Sequence, residues 1–302
     1  MGREMKLLTS SKVNLFLRVL GARRDGYHEV ETILHTVGLN DEIEIVPTTS
    51  REVEVAMRFA EGVTGDLPST EENLVFRAAT SLLDRGARND GIVIRLVKRI
   101  PVGAGLGGGS GNAAGALTAL SRHWGLEVPS GEMLGLAAAL GSDVPYCLQG
   151  GAALATGRGE KLTHLTDSLS GWFVLGISSL PLPTRDVYAA WDQSGRQTAS
   201  TPAAMTLALG AGDLNEVASL LHNDLEGPAF ELRPELPAKK EALLRAGATG
   251  SLLSGSGPTL FGLCATEEQA CAVAEKVRAD FDRVEVVPSR DNCVEILAEA
   301  AA

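Results

Sequence analysis

Hydrophobic and polar positions change period several times along the chain, and each change marks an element. "VNLFLRV" (Val13–Val19) is a nearly unbroken apolar run and predicts a buried strand. "DEIEIVP" sets Ile43 and Ile45 among acids, and "REVEVAMRF" spaces Val53, Val55, Met57 and Phe59 two apart; both alternations predict half-exposed strands. "STEENLVFRAATSLLDRG" predicts a helix with Ser69 or Thr70 as its cap, Glu71 and Glu72 in its first turn and Gly86 beyond its end. "GIVIRLVKRIP" predicts a strand that runs into a glycine-rich stretch. Past that stretch, Ala113, Ala114, Leu117, Leu120 and Trp124 recur at three- and four-residue spacing, the mark of an amphipathic helix. Ser130 is placed to cap a second helix through Met133, Leu134, Ala137 and Leu140 that ends near Gly141, and "GGAALATGRGEKL" predicts a strand or hairpin.

From about Trp172 the pattern predicts a separate unit. "GWFVLGIS" is strand-like, "QSGRQTASTP" is a polar loop, and a helical region between Pro202 and Leu244 is broken by prolines. The remainder reads strand, glycine turn, strand, helix, strand, with Thr266 and Gln269 at capping-box spacing, which suggests a ferredoxin-like layer.

The glycine-rich stretch itself needs a reason. "PVGAGLGGGSG" (Pro101–Gly111) holds six glycines in eleven residues, then gives way to alanines. Glycine supplies positive φ and close backbone approach, and a bare loop opening a helix points free N–H groups and a helix dipole at an anion. Phosphate is the first expectation, with a ligand-free turn as the alternative. A Walker A loop needs Lys and Ser/Thr after its last glycine, but Gly109 is followed by Ser110 and Gly111, and no protein-kinase motif set is present. Gly103, Gly105 and Gly108 match a dinucleotide fingerprint as text, with Glu127 about where its ribose acid belongs. The loop comes too far into the chain for that motif, so a Rossmann oxidoreductase stands only as a rival.

Composition narrows the partners. A chain of 302 residues suits two domains or one large one. Its net charge of −11, from 27 basic and 38 acidic residues, argues against nucleic acid or an anionic membrane as a partner. The four cysteines form no CxxC pair and no zinc spacing, as expected of thiols in a reducing compartment. "MGREMKLLTSSK" lacks the apolar core of a signal peptide and no run reaches membrane-span length, so a cytoplasmic location is expected.

Three more stretches complete a pattern: "SKVNLFLRVLGARRDGYHEVETI" before the loop, and "LGSDVPYCLQGGAALATGRGE" and "LLSGSGPTLFGL" after it. In this order, and over nearly the whole chain, they resemble the GHMP kinases, a family of ATP-dependent small-molecule kinases. "KVNLFL", "RRDGYHEVET" and "GSDVP" are most similar to the branch whose acceptor is an alcohol carrying cytidine diphosphate, on the way to isoprenoid precursors. The resemblance implies a two-domain α+β GHMP kinase fold, with a ribosomal-protein-like domain over residues 1–168 and a ferredoxin-like domain over 169–302. It implies ATP and Mg²⁺ as cofactors, a small-molecule cytidine diphosphate alcohol as substrate, and a monomer or homodimer.

Taken alone, Lys12 reads equally as a surface lysine, Asp143 as a turn residue, and Tyr27 and His28 as the dressing of an Asp-Gly turn. Asn14, two residues past Lys12 on one strand face, is a polar group in an apolar run that needs a partner. The resemblance gives these residues roles. Asp143 takes the proton of the acceptor hydroxyl and Lys12 lies against it. Pro101, Val102, Gly103, Ala104, Gly105, Leu106, Gly107, Gly108, Gly109, Ser110 and Gly111, with Asn73 and Lys98, hold ATP. Asn14, Tyr27, His28, Thr184 and Tyr188 hold the acceptor, Tyr27 and Tyr188 on opposite faces of the cytosine and His28 at its edge. "SGSGP" (Ser254–Pro258) brings a second glycine turn near the site, or is a plain hairpin turn. One departure stands out. Relatives usually read "GGGSSNAA", whereas this chain has Gly111 at the second serine. A hydroxyl there can touch phosphate or metal, so no metal ligand is assigned. Gly111 is also the expected N-cap of the loop helix. Rivals within the family are kinases of the homoserine or mevalonate type, whose substrates have no ring to stack; a GHMP-fold binding protein without catalysis is a third alternative, against which Lys12 and Asp143 speak.

Overall fold

Two long paired strands frame the molecule: β1 (Arg3–Ala22) and β2 (His28–Pro47), antiparallel and each of 20 residues. The computed structural model describes residues 3–50, 52–63, 66–85, 91–166, 169–195 and 198–301. The runs Val13–Val19 and 41–47, expected as separate short strands, are parts of this pair. Polar residues hid its length: Lys12, Asn14, Thr32, His35 and Thr36 interrupt the apolar pattern, yet all are buried. Each has partners inside. His35, for example, is hydrogen-bonded at both ring nitrogens, to Thr36 O and Leu169 N, and burial pushes its pKa down to about 4, which keeps the ring neutral.

The chain continues through β3 (Val53–Phe59), α1 (Leu74–Leu83), β4 (Ile92–Lys98), α2 (Gly108–His123), α3 (Ser130–Leu140), α4 (Val144–Gln149) and the hairpin β5 (Ala152–Thr156) and β6 (Lys161–His164). Then come β7 (Trp172–Ile177), α5 (Thr184–Ser194), α6 (Pro202–Ala211), α7 (Leu214–Ser219), β8 (His222–Asn223), α8 (Glu226–Leu232) and α9 (Leu236–Ala246). The last elements are β9 (Gly250–Leu253), β10 (Leu260–Cys264), α10 (Glu267–Val277), β11 (Arg283–Pro288) and β12 (Val294–Ala301). One sheet runs β12-β1-β2-β4-β3, with β5 added to β2, β6 to β5 and β8 to β1. The other runs β11-β7-β10-β9, all antiparallel, which is the ferredoxin-like order. The final strand therefore leaves the second sheet and closes the edge of the first. Among the described residues no helix is long and apolar enough to cross a membrane.

Helices α1 to α4 cover one face of the first sheet, around Met5, Leu7, Ile43, Leu117 and Tyr146. Its other face meets the second sheet through Val13, Leu15, Ile33, Phe173 and Phe261. Met5 and Leu7 thus point to one side while Val13 and Leu15, of the same parity, point to the other. Between the two groups the pairing with β2 shifts at Ser10/Ser11, where Gly38 and Leu39 of β2 have no partner on β1. Beyond the shift, Lys12 reaches the glycine loop through Gly105 O, with Asn14 beside it.

Several local expectations need correction. Helix α1 is capped by Asn73, whose Oδ1 accepts from Val75 N at 2.9 Å, while Ser69 and Thr70 lie in a preceding turn closed by Asn73 N to Ser69 O at 3.0 Å. Gly86, its expected end, lies outside the described residues. Helix α3 is preceded by Pro129, and Ser130 is its first residue without a capping bond. Thr266 does cap α10, but Gln269 reaches Ala265 N at 2.8 Å, one residue before the cap. The polar loop shrinks because α5 runs to Ser194; residues 196–197 lie outside the described residues. Most consequential, α2 is capped by Gly107, at φ 70°, and Gly111 sits inside the helix with its N–H bonded to Gly107 O at 2.9 Å. A Cβ on Gly111 would stand 3.1 Å from Ser10 O and 3.6 Å from Cys293 Sγ, against β1.

A buried carboxylate ties loop, helix and sheet together. Asp41, 0% exposed, accepts from Arg99 N at 2.6 Å and Ile100 N at 2.8 Å, which turns the chain out of β4. Its other oxygen accepts from the Lys98 ammonium and from Asn112 Nδ2 at 2.9 Å, and Asn112 also donates to Thr9 in β1 at 2.8 Å. Burial lowers the Lys98 pKa, and the Asp41 charge opposes that shift.

Two stability effects follow. Lys98→Met leaves the Asp41 carboxylate buried without its cation and should cost ~3–5 kcal/mol in urea unfolding; a loss below ~1 kcal/mol would contradict the hub. Gly111→Ser gains about 0.5 kcal/mol of helix propensity but overpacks a site walled by the Ser10 carbonyl and the Cys293 and Thr9 side chains, at a cost of ~1–3 kcal/mol. A net loss of about 1 kcal/mol, seen as a lower melting temperature, is expected; an unchanged or higher one would mean that Ser10 and Cys293 yield freely.

Candidate active site

The glycine loop has a cavity on each side, and Gly105 and Gly107 line both. The first cavity, about 350 Å³, lies between the loop, the entry to α1 and the end of β4. Its wall includes Pro101, Val102, Gly103, Ala104, Gly108, Gly109, Ser110, Asn73 and Lys98. Here the first N–H groups of α2 and its dipole face a concave, partly apolar space, the arrangement that suits a phosphate-bearing ligand. Two of the expected nucleotide residues lie elsewhere. The Leu106 side chain is buried in the core between the sheets, and Gly111 faces β1, so a hydroxyl there would point away from this cavity. Asn73 and Lys98 reach the wall already engaged, Asn73 as the α1 cap and Lys98 with Asp41 and Asn112 Oδ1, the latter at 2.8 Å.

Lys12 stands where the cavities meet. It is 5% exposed; its backbone N–H bonds Leu106 O at 2.9 Å, and its ammonium donates to Gly105 O at 3.0 Å and Asn14 Oδ1 at 2.8 Å. Asn14 is oriented in turn by Nδ2 to Thr32 Oγ1 at 2.8 Å, and that hydroxyl donates to Phe16 O at 2.7 Å. A side chain on Gly107 would come within 2.9 Å of the Lys12 stem, so the left-handed glycine also clears the path of the lysine. The Lys12 ammonium lies 3.6 Å from Asp143 Oδ2. Asp143 precedes α4 without capping it, and its side chain remains 33% exposed. The sequence pair expected to act together is thus brought together, 131 positions apart in the chain (143 − 12).

The second cavity, about 580 Å³, opens from Lys12, Asn14 and Asp143 toward Tyr27, His28, Thr184 and Tyr188. His28 is stacked on Tyr188 with ring centroids 4.6 Å apart, meets Trp191 edge-on at 5.9 Å, and is fixed by Asp192 at 2.9 Å. Partial burial and the charge of Asp143 push the Tyr188 pKa up, so its phenol stays a donor. Tyr27 is 50% exposed, and the Arg158 guanidinium lies 4.9 Å from its ring centroid. Both tyrosines expected at the base line this cavity, with His28 against the Tyr188 ring and Arg158 against the Tyr27 ring. Thr184 bonds Ser256 at 2.8 Å, and Ser254 donates to Gly105 O at 2.9 Å, so the second glycine turn braces the loop. Sequence reasoning missed Trp191, Asp192 and Arg158. Asp192 lies one helical turn after Tyr188, a spacing that signals a shared face. Arg158 carried no local signal.

Among the described residues no group of three or more His, Cys, Asp or Glu side chains is arranged to hold a metal ion. Mg²⁺ in phosphate sites needs no such cage, since it keeps waters and substrate oxygens as ligands. The Ser110 hydroxyl and the Asp143 carboxylate are oxygen donors of the right kind on the two cavities.

Comparison with known proteins matches this arrangement to one family. The model of the GHMP kinases N terminal domain matches residues 73–151, and that of the GHMP kinases C terminal matches residues 205–283. A 4-diphosphocytidyl-2-C-methyl-D-erythritol kinase of Pelotomaculum thermopropionicum is 42% identical over 92% of this chain and 95% of its own. The kinase of the same name from Thermosynechococcus vestitus is 39% identical over 90% of this chain and 91% of its own. A crystal structure of 4-(cytidine 5'-diphospho)-2C-methyl-D-erythritol kinase superposes with a TM-score of 0.79 at 36% identity, covering 94% of this chain and 99% of that one. A homoserine kinase from Cytophaga hutchinsonii shares the fold at a TM-score of 0.75 and 21% identity, covering 97% of each chain. With both domain models matched in order and its relatives aligned over most of its length, the chain belongs to the GHMP kinases.

Proposed function

We propose that this chain transfers the γ-phosphate of ATP to the 2-hydroxyl of 4-diphosphocytidyl-2-C-methyl-D-erythritol, a step toward isoprenoid precursors. The observation that carries it is the contact of Lys12 and Asp143 at the junction of two cavities that share Gly105 and Gly107. The names of the relatives support the acceptor, and the aromatic cavity suits a flat base. Homoserine and mevalonate have no ring, and the kinases that act on them share the fold at low identity.

Phosphoryl transfer asks a protein for position, charge neutralisation and a base. Asp143 accepts the proton of the attacking hydroxyl, which Asn14 and the aromatic residues hold in the second cavity. Lys12 lies against that carboxylate and turns positive charge toward the shared wall. The N–H groups at the start of α2 hold the phosphates on the other side. The Ser110 hydroxyl and the Asp143 carboxylate would hold Mg²⁺ carried on the nucleotide, and the ion would supply charge screening.

The direct test is ADP release with three alcohols. The cytidylylated alcohol should support turnover, while homoserine and mevalonate should give only background; turnover with either of the latter alone would overturn the acceptor. Asp143→Asn removes the base but keeps the shape. A fall in kcat of ~10²-fold or more is expected, with nucleotide affinity held within about twofold, because positioned bases contribute about that much. Near-normal kcat in a folded D143N enzyme would remove Asp143 from the chemistry.

A further inference from the structure

The second cavity must admit a substrate that carries a diphosphate, although Asp143 and Asp192 already line it. Three cations share that wall: Lys12, Arg158 and Arg185. Lys12 is committed to Asp143, Asn14 and the Gly105 carbonyl. Arg185 has a side chain 95% exposed and leans on Asp186 at 3.8 Å. Arg158 differs from both. It projects from the turn between β5 and β6, where its own N–H donates to Glu160 Oε2 at 2.7 Å. Its guanidinium donates Nη2 to Ala138 O at 2.9 Å, in the last turn of α3, and lies over the Tyr27 ring. Every partner of the guanidinium is neutral: among the described residues no carboxylate pairs with it.

A guanidinium has five N–H donors in a planar fork. The carbonyl takes one, and the ring takes a face, which leaves most of the fork unspent. The carbonyl end of α3 favours a cation there, and the ring fixes its plane, so the side chain is preorganised without being neutralised. Such a group, at the wall of a cavity, recognises a phosphate by paired N–H donors.

We infer that Arg158 binds the diphosphate of the acceptor, its guanidinium held in place by the Ala138 carbonyl and the face of the Tyr27 ring. The inference rests on the acceptor assigned under the proposed function. It makes Arg158 a specificity-determining residue: alcohols that lack the diphosphate cannot use it.

The test separates phosphate from base by titration calorimetry with CDP and with cytidine. Wild type should bind CDP at least ~10-fold more tightly than cytidine. Arg158→Met should weaken CDP by about 10-fold or more and leave cytidine within about twofold, consistent with loss of a charge-assisted hydrogen bond. Arg158→Lys should recover part of the CDP affinity. Equal weakening of both ligands would mean that Arg158 only shapes Tyr27, and no change in either would remove it from binding; both results overturn the inference. If R158M does not fold, R158Q carries the same expectations. Wild type that binds neither ligand would instead overturn the acceptor assignment, and this inference with it.

Discussion

The lysine ammonium at position 12 is where the parts of this molecule meet. It is buried, yet it contacts a strand neighbour, a loop carbonyl and a carboxylate from the start of another helix: Asn14, Gly105 and Asp143. A cation taken out of water is tolerated only where such partners surround it. The fold is built to deliver them. Just past the irregular pairing at Ser10/Ser11, Lys12 lies on the loop side, Asp41 bends the chain out of β4 into the loop, and Gly107 starts α2 while leaving room for the lysine stem. The second glycine turn then closes on Gly105 through Ser254. Sheet, loop and helix cannot shift independently without opening one of these bonds.

This construction explains why the cavities touch. The loop that supplies N–H groups to one side presents its carbonyl, through Gly105, to the cation on the other. Under the proposed function, a phosphate at the start of α2 and a hydroxyl beside Asp143 would approach across two glycines. A side chain on Gly105 would strike Ser254 O at 2.2 Å, so the wall between the sites has no room to thicken. Proximity of this kind supplies much of the rate in reactions that need little covalent help.

Much of this was legible in the sequence, for identifiable reasons. The glycine run opening a helix, the alternating strands and the ferredoxin-like end follow from period and turn chemistry, and the ordered motifs pointed to Lys12 and Asp143. What stayed hidden depended on distant residues. The length of β1 and β2 was masked because Lys12, Asn14, Thr32 and His35 look like breaks until their buried partners are known. Helix entry is ambiguous in a glycine run, where Gly111 fits a cap as well as Gly107 does; the left-handed turn at Gly107 decides it. Lys98 looked available to a ligand until Asp41, 57 residues away, claimed it. Arg158 is one arginine among many until the hairpin places it over Tyr27.

The proposed reaction is direct transfer between two ligands bound at once on either side of the glycine loop. The most direct measurement is the stereochemical course of the reaction, using ATP made chiral at the γ-phosphorus with oxygen isotopes. A single in-line transfer across the shared wall predicts inversion of configuration in the phosphorylated alcohol. Retention would require two successive displacements through a phosphorylated side chain, and would contradict the account.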